Sequence, residues 1–529
     1  MSIVNPPPRS VRAPDHLVAS ADHLATSAGV ATFARGGNAL DAAIAVNAAM
    51  AVVGPHLCGL GGDLFALVHV EGEVHALNAS GRAPAGASAE RLRSAGYAQV
   101  PFRHHVGSVT IPGCVDGWAA LHERFGTLPL STILAPAIAL ATHGFPASGP
   151  LAASVAALDE QGRVGLDDLA SQVGRRGDRV RREGVARALG AIADHGREGF
   201  YTGEFGDGLL RLGDGWFEPS DLERSHADWV EPLTAPAFGV DLHTIGPNSQ
   251  GYLTLGASGL ASRLDLPTNP DDPMWAHLLI EASVAAGRDR PAVLHEGADG
   301  DALLGAIGGR LGEVDARAAS GAVMASGDGD TTYLCTAGRS GRGGPMAVSL
   351  IQSNASGFGS HLSEPSTGIN LHNRGIGFSL VAGHPAEMAP GSRPPHTLSP
   401  ALATRDDGDL VAVLGTMGGD AQPQILLQVA ARLFHHRESA GRAITAGRWA
   451  LRGTTGFDTW SETSAPTVMV EGQASESWAD GLRDLGHHVE RTPTWDSMFG
   501  HAHAIVRGRD EIWIGCSDPR TVVGSCAGG

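Results

Sequence analysis

Residues 327–338 read GDGDTTYLCTAG: a Gly/Asp run stops at Thr331-Thr332 and a strand-like apolar segment begins at once. A threonine hydroxyl is a weak nucleophile at neutral pH and needs a base. One base requires no second side chain. If the threonine is the first residue of its chain, its own α-amine serves. That amine titrates near pH 8, about 2.5 units below a lysine, so it is matched to taking and returning a proton at pH 7–8. The β-methyl restricts χ1 and helps hold the hydroxyl in one direction. Thr331 does not start this chain, so the chemistry demands a break at Asp330-Thr331. The Thr331 hydroxyl would attack the Asp330 carbonyl, the peptide would become an ester, and water would open it. The tail SGDGD, residues 326–330, suits such a scissile segment, because glycine lets it bend into a site and leave afterwards. The plain alternative is a loop entering a strand, where threonine is common.

Composition narrows the other options. All 38 basic residues of the 529 are arginines, against 56 acids, for a net charge of -18. Without lysine there is no Schiff base, no Ser-Lys dyad and no P-loop. The acidic balance argues against nucleic acid as a partner. Five widely spaced cysteines without a C-x-x-C pattern argue against a disulfide framework or zinc site. The histidine pairs, including His501-x-His503, come without an indicated third ligand, so no metal and no cofactor are expected. Neither an apolar leader nor a run of about 20 apolar residues is visible, which predicts a soluble, cytoplasmic chain without a membrane partner.

The elements that must position Thr331 can be sketched. Residues 1–16 are Pro/Arg-rich and read as a loose segment. GGNALDAAIAVNAAMAVVGP predicts a helix capped by Asn38 and stopped at Gly54-Pro55. DLFALVHVEGEVHALNAS predicts a hairpin around Glu71-Gly72. An Arg-rich exposed helix is expected near 174–187, and a Gly/Ala/Asp-rich linker over 296–330. After 330 the pattern is sheet-rich. TTYLCTA and PMAVSLIQSN flank a glycine-rich turn, PALATR and LVAVLG flank DDGD, and TMGGDAQPQILLQVAARLFHH predicts a helix capped by Asp420. Asp63, after GLGG, reads as a turn or helix cap.

Several motifs, taken in order, resemble the γ-glutamyltranspeptidase family of N-terminal-nucleophile hydrolases over nearly the whole chain. They are ATSAGVATFARGGNALDAAIAVNAAMAVV, CGLGGDLFALVH, IPGCVDGWAALHERFGTLPLSTILAPAIALATHGF, DTTYL, SLIQSNASGFGS, TGINLHNRGIGFSL, APGSRPPHTLSPAL and GTMGGDAQPQ. The resemblance implies an α+β fold, a four-layer αββα sandwich. It also implies self-cleavage into a large subunit (17–330) and a small catalytic one (331–529). Those fragments stay together as a heterodimer, with a dimer of heterodimers left open. It matches Thr331 to the catalytic threonine and Gly418-Gly419 to a glycine pair whose amides stabilise an oxyanion. Asn354 matches a substrate-contacting asparagine. Gln352 stands where a threonine often supports the nucleophile.

The chain departs from the glutamyl-reading members. Ser80 stands where the family's carboxylate-binding arginine falls, with Arg82 two places on. Arg374 replaces a glutamine, Gly377 the ammonium-binding acid, and His396-Thr397 a double serine. An arginine in place of a carboxylate repels an ammonium and attracts a carboxylate. The pattern resembles that of the oxamate amidohydrolase- and acylase-like members. The predicted reaction is therefore cleavage of an amide of a small acidic acyl group through a threonyl acyl-enzyme, with substrate contacts from Asn354, Gln352, Arg374, His396, Thr397 and Arg82. The rival readings are a true glutathione-cleaving γ-glutamyltransferase and an unprocessed paralogue that binds without turnover.

Overall fold

A computed structural model describes residues 9–320, 330–341, 343–452 and 467–529. Two seven-stranded sheets form its centre. The first runs Val11–Ala13, Trp513–Cys516, Ala502–Arg507, Leu410–Thr416, Ala401–Thr404, Val240–Ile245 and Pro232–Ala237. The second runs Ser525–Gly528, Leu17–Ser20, Thr331–Arg339, Pro345–Ser353, Asp63–Val70, Glu73–Ala79 and Asp228–Val230. The pairings set out between neighbours in both sheets are antiparallel.

Strand alternation sorts the side chains into layers. Along Thr331–Arg339, Tyr333, Cys335 and Ala337 join Phe65, Leu67, Ile351, Leu402, Val413 and Ile505 in a core between the sheets. Leu334 points the other way, into a core with the helices Ala39–Val53 and Cys114–Phe125. The first sheet buries its outer face against Gly251–Ala261, Pro273–Gly287 and Gln422–Ala430. Helix, sheet, sheet, helix is the resulting order. Both sheets mix strands from before and after 330, paired directly at Val11–Ala13 with Trp513–Cys516, Ala401–Thr404 with Val240–Ile245, Leu17–Ser20 with Thr331–Arg339 and Pro345–Ser353 with Asp63–Val70, so a cut at 330 would leave the two pieces hydrogen-bonded together.

Three sequence signals survive intact. Asn38 caps Ala39–Val53 in a capping box with Asp41. That helix is buried on every side, as a sequence apolar but for Asp41 and Asn47 demands. The hairpins at Glu71-Gly72 and 401–416 form as expected. Three others are corrected. The expected linker over 296–330 contains a helix, Gly300–Gly308, capped by the Asp299 side chain and seated through Ile307, whose side chain would meet a Cβ on Gly256 at 2.8 Å. Residues 321–329 of that segment lie outside the described residues. The Arg-rich stretch begins as a turn at Gly177 (φ +90°) and a short strand, Arg179–Val180, before helix Glu183–Tyr201. Asp420 does not cap the helix that follows it. Its carboxylate pairs with Arg290 at 3.1 Å.

Candidate active site

Thr331 opens its strand at the end of the second sheet and is 1% exposed. The register sets Thr331 opposite Ser353, and Ser353 opposite Asp63. Directly opposed residues share a face, so these three side chains form one row on the side towards the first sheet. With strands about 4.8 Å apart, Asp63 stands roughly 10 Å from the threonine.

The centre of the row is a hydrogen-bond relay. The Thr331 and Ser353 hydroxyls are 3.0 Å apart. Ser353 Oγ donates to the Asp330 carbonyl at 2.9 Å and accepts from the Ala355 N–H at 2.8 Å. The Asp330 carboxylate accepts from the Gly357 N–H at 3.0 Å. One serine therefore contacts both the hydroxyl that would attack and the carbonyl that would be attacked, and its O–H polarises that carbonyl. Gln352 cannot take this part. It pairs with Thr332, and alternation turns it to the helix side, where it accepts from Asn47 Nδ2 at 2.9 Å and donates to the Gly59 carbonyl. The position expected beside the threonine thus faces the helices, and the neighbouring Ser353 is the residue hydrogen-bonded to Thr331.

The glycine pair is carried in by the opposite sheet. Tyr333 lies over Gly415, where a Cβ would come within 2.2 Å of its ring, so only glycine allows this approach. Three residues on, Gly418 and Gly419 have φ of +135° and +53°, conformations that favour glycine. They start the turn Gly419–Ala421 that leads into helix Gln422–Ala430. Amides in that position are oriented for an anion. Gln250 Nε2 donates to both the Gly419 and Thr397 carbonyls at 3.0 Å, tying the glycine turn to Thr397. Thr397 Oγ1 in turn accepts from Arg374 at 3.2 Å.

At the far end of the row is a cluster absent from the sequence reading. Asp63 Oδ2 accepts from His396 Nε2 at 2.5 Å, and Asp63 Oδ1 is in close contact with His372 Nδ1. All three side chains are 0% to 1% exposed. The Leu398 N–H donates to His396 Nδ1, which fixes that ring as the neutral tautomer carrying its proton on Nε2. Burial pushes His396 down to about 4, against the attraction of Asp63 and with the help of Arg374. Burial disfavours the Asp63 carboxylate, but the two histidines outweigh it and hold its pKa below the usual range. Both ring nitrogens of His396, expected as a substrate contact, are thus taken up within the protein, by Asp63 and by the Leu398 N–H. Asp63 is a buried anchor in a strand, not a cap.

The remaining expectations divide. Asn354 is fully buried at the strand end, donating from Nδ2 to the Pro55 carbonyl at 3.0 Å and from its N–H to Leu57 at 3.4 Å. Arg82 is not brought to the row. It is committed to Glu296 at 2.6 Å and Asp228 at 3.0 Å. His501 shares a hydrogen bond with Ser497, and His503 Nδ1 accepts from the Asp518 N–H.

This αββα sandwich is the fold of the N-terminal-nucleophile hydrolases. It superposes on a cephalosporin acylase from Bacillus halodurans with a TM-score of 0.89, at 32% identity and covering 100% and 98% of the two chains. The family model for gamma-glutamyltranspeptidase matches residues 25–527, and the chain belongs to that family. It is 34% identical to an oxamate amidohydrolase proenzyme of Klebsiella pneumoniae, over 96% of each chain. It is 32% identical to a glutathione hydrolase-like YwrD proenzyme of Bacillus subtilis, over 97% and 98%. Like its family, it is an enzyme of amide chemistry. Among the described residues no helix is long and apolar enough to cross a membrane.

Proposed function

We propose that the chain is a precursor that cuts itself between Asp330 and Thr331, and that the mature enzyme hydrolyses amides of small acidic acyl groups. The observation that carries this reading is the Ser353 hydroxyl, held between Thr331 Oγ1 and the Asp330 carbonyl. Attack of Thr331 on that carbonyl moves the acyl group from nitrogen to oxygen. That shift breaks the C–N bond and frees the Thr331 α-amine; water then opens the ester, returning the Thr331 hydroxyl and releasing the Asp330 carboxylate, which leaves fragments 1–330 and 331–529.

The substrate step follows the same course. The α-amine takes the Thr331 hydroxyl proton, the oxygen adds to the amide carbonyl, and the Gly418 and Gly419 amides stabilise the oxyanion. Losing one such donor costs about 2.7–4 kcal/mol of barrier lowering. The amine passes its proton to the leaving nitrogen, the C–N bond breaks, and water hydrolyses the threonyl ester to acid and free enzyme. Arg374, buried and bonded to Thr397 beside the Asp63 cluster, receives the acid group of the acyl half. Ser80 and Gly377 supply neither the guanidinium nor the carboxylate that a glutamyl group needs. Ser80 Oγ donates to Asn78 Oδ1 at 2.7 Å, and a Cβ on Gly377 would meet the Pro395 carbonyl.

The names of the relatives support an acidic acyl group of this kind, oxamate in one case. The test is an assay of the mature protein on γ-glutamyl anilide beside oxamate and glutaryl amides. Turnover of oxamate or of the glutaryl series is expected. Strong turnover of the γ-glutamyl compound alone would overturn the reading.

A further inference from the structure

The sequence indicates no third ligand for the pair His104-His105. The fold divides the pair and supplies two. His105 is spent on a turn, its Nδ1 accepting from the Gly107 N–H at 2.9 Å. His104 meets Asp159 and His361, and one ligand atom from each of these three lies within 4.8 Å of the other two. His104 Nε2 stands 3.4 Å from Asp159 Oδ2. The His104 and His361 rings meet edge to face, with centroids 5.2 Å apart. We infer that His104, Asp159 and His361 hold a divalent transition-metal ion, zinc being the ion that this ligand set fits, and that the ion clamps the chain before residue 330 to the chain after it.

The nitrogens of this cluster are buried and unspent. Among the described residues, His104 Nδ1, His104 Nε2 and His361 Nδ1 have no hydrogen-bond partner, and His361 is only 3% exposed. Buried polar atoms are normally satisfied, so three such nitrogens in one cluster point to a ligand. Burial, with Arg103 and His104 beside it and against Asp159, pushes His361 down to about 4, so its ring is neutral and keeps a lone pair at pH 7. Space is kept open by glycine. On helix Glu160–Gly165 a Cβ at Gly162 would come within 2.7 Å of His361 Nδ1 and 2.9 Å of Asp159 Oδ1, and one at Gly165 within 2.0 Å of the His361 carbonyl. Asp159 Oδ1 caps that helix by accepting from the Gly162 N–H at 2.6 Å, which leaves Oδ2 for the ion. Tetrahedral zinc with bonds of about 2.0–2.2 Å sets its ligand atoms roughly 3.3–3.6 Å apart, and the exposed Asp159 side chain can close the difference. Two imidazoles and one carboxylate suit zinc, whereas Mg²⁺ and Ca²⁺ take oxygen ligands. A second group, His277, Glu281 and His487, is satisfied within the protein: His277 bonds His487 at 2.8 Å and the Asp315 carbonyl at 2.7 Å. The clamp follows from chain order. His104 and Asp159 precede residue 330, and His361 follows it in the segment whose Gly357 N–H holds the Asp330 carboxylate. The site does not depend on whether the chain is cut.

The experiment strips the purified full-length protein with a chelator and titrates it with Zn²⁺ by calorimetry and with Co²⁺ by visible absorption. One Zn²⁺ should bind per chain, without competition from Mg²⁺ or Ca²⁺, and Tm should rise as Zn²⁺ is added. Two variants keep the backbone and remove a ligand. His104→Asn places a residue that tolerates left-handed backbone where φ is +58°, and Asp159→Ser keeps a helix cap. Each should weaken Zn²⁺ binding at least about 100-fold, the upper end of what loss of a ligand's hydrogen-bonded neighbour alone costs, and should remove the Zn²⁺-dependent rise in Tm. His277→Gln should leave both unchanged. No Zn²⁺ binding by the wild-type protein, affinity unchanged in both ligand variants, or loss of binding in His277→Gln in their place would overturn the site.

Discussion

Two buried charge clusters sit in this molecule and do different work. One joins Arg448, Glu471, Asp518 and Arg520. Arg520 holds Glu471 at 2.5 Å and Asp518 at 3.0 Å, and Arg448 holds Asp518 at 2.9 Å. Its guanidiniums also bond the carbonyls of Ile444, Ala446 and Phe499. Two acids meet two arginines, and the surplus donors go to backbone. The other cluster joins Asp63 to two histidines and lies in register with Ser353 and Thr331. The first ties together loops that all follow residue 330. The second is a set of titratable groups aligned on Thr331, and that alignment distinguishes a candidate site from a staple.

The contrast can be broken experimentally. Arg520→Met leaves two buried carboxylates short of a partner and should cost about 3–5 kcal/mol of stability, read by urea unfolding, with catalysis per folded molecule retained. Asp63→Asn should do the reverse. By loosening His396 and His372 it should lower kcat/KM about 100-fold with a smaller loss of stability. If Asp63→Asn proved the more destabilising of the two, the distinction between site and staple would collapse. Ser353→Ala should slow appearance of the two fragments about tenfold on a time-resolved gel, close to the 1.4 kcal/mol worth of one hydrogen bond. An unchanged cleavage rate would remove Ser353 from the mechanism.

The smallest effect is on pH. His396 titrates near 4 when folded and near 6.5 when unfolded. Between those values the unfolded chain binds more protons, so stability is full above pH 6.5 and is lost as pH falls towards 4. From pH 6.5 to 5.5 this single group should remove about 1 kcal/mol. A Tm that is flat over that window would show that His396 keeps its proton in the fold.

What could be read from the sequence was local. Thr331 after a Gly/Asp tail, the glycine pair at 418–419, the Asn38 cap and the hairpins each declare themselves within a few neighbours. The missing parts depended on register or on distance along the chain. Gln352 and Ser353 are adjacent in one motif, and only the pairing of Ser353 with Thr331 says which of them faces the threonine. Asp63 looks like a turn residue because its partner His396 is 333 residues away. The helix Gly300–Gly308 was hidden by its glycines. Asp299 at its start and the fit of Ile307 over Gly256 hold it where propensity alone would not.

The central claim is that Thr331 becomes a chain start. Intact mass and N-terminal sequencing of the purified wild-type protein, with Thr331→Ala beside it, address this directly. The account predicts a small fragment beginning Thr-Thr-Tyr-Leu-Cys in the wild type, and a single uncut, inactive chain for Thr331→Ala. A wild-type protein that turns over its amide substrate as one uncut chain of 529 residues, or a fragment that begins at any other residue, would contradict it.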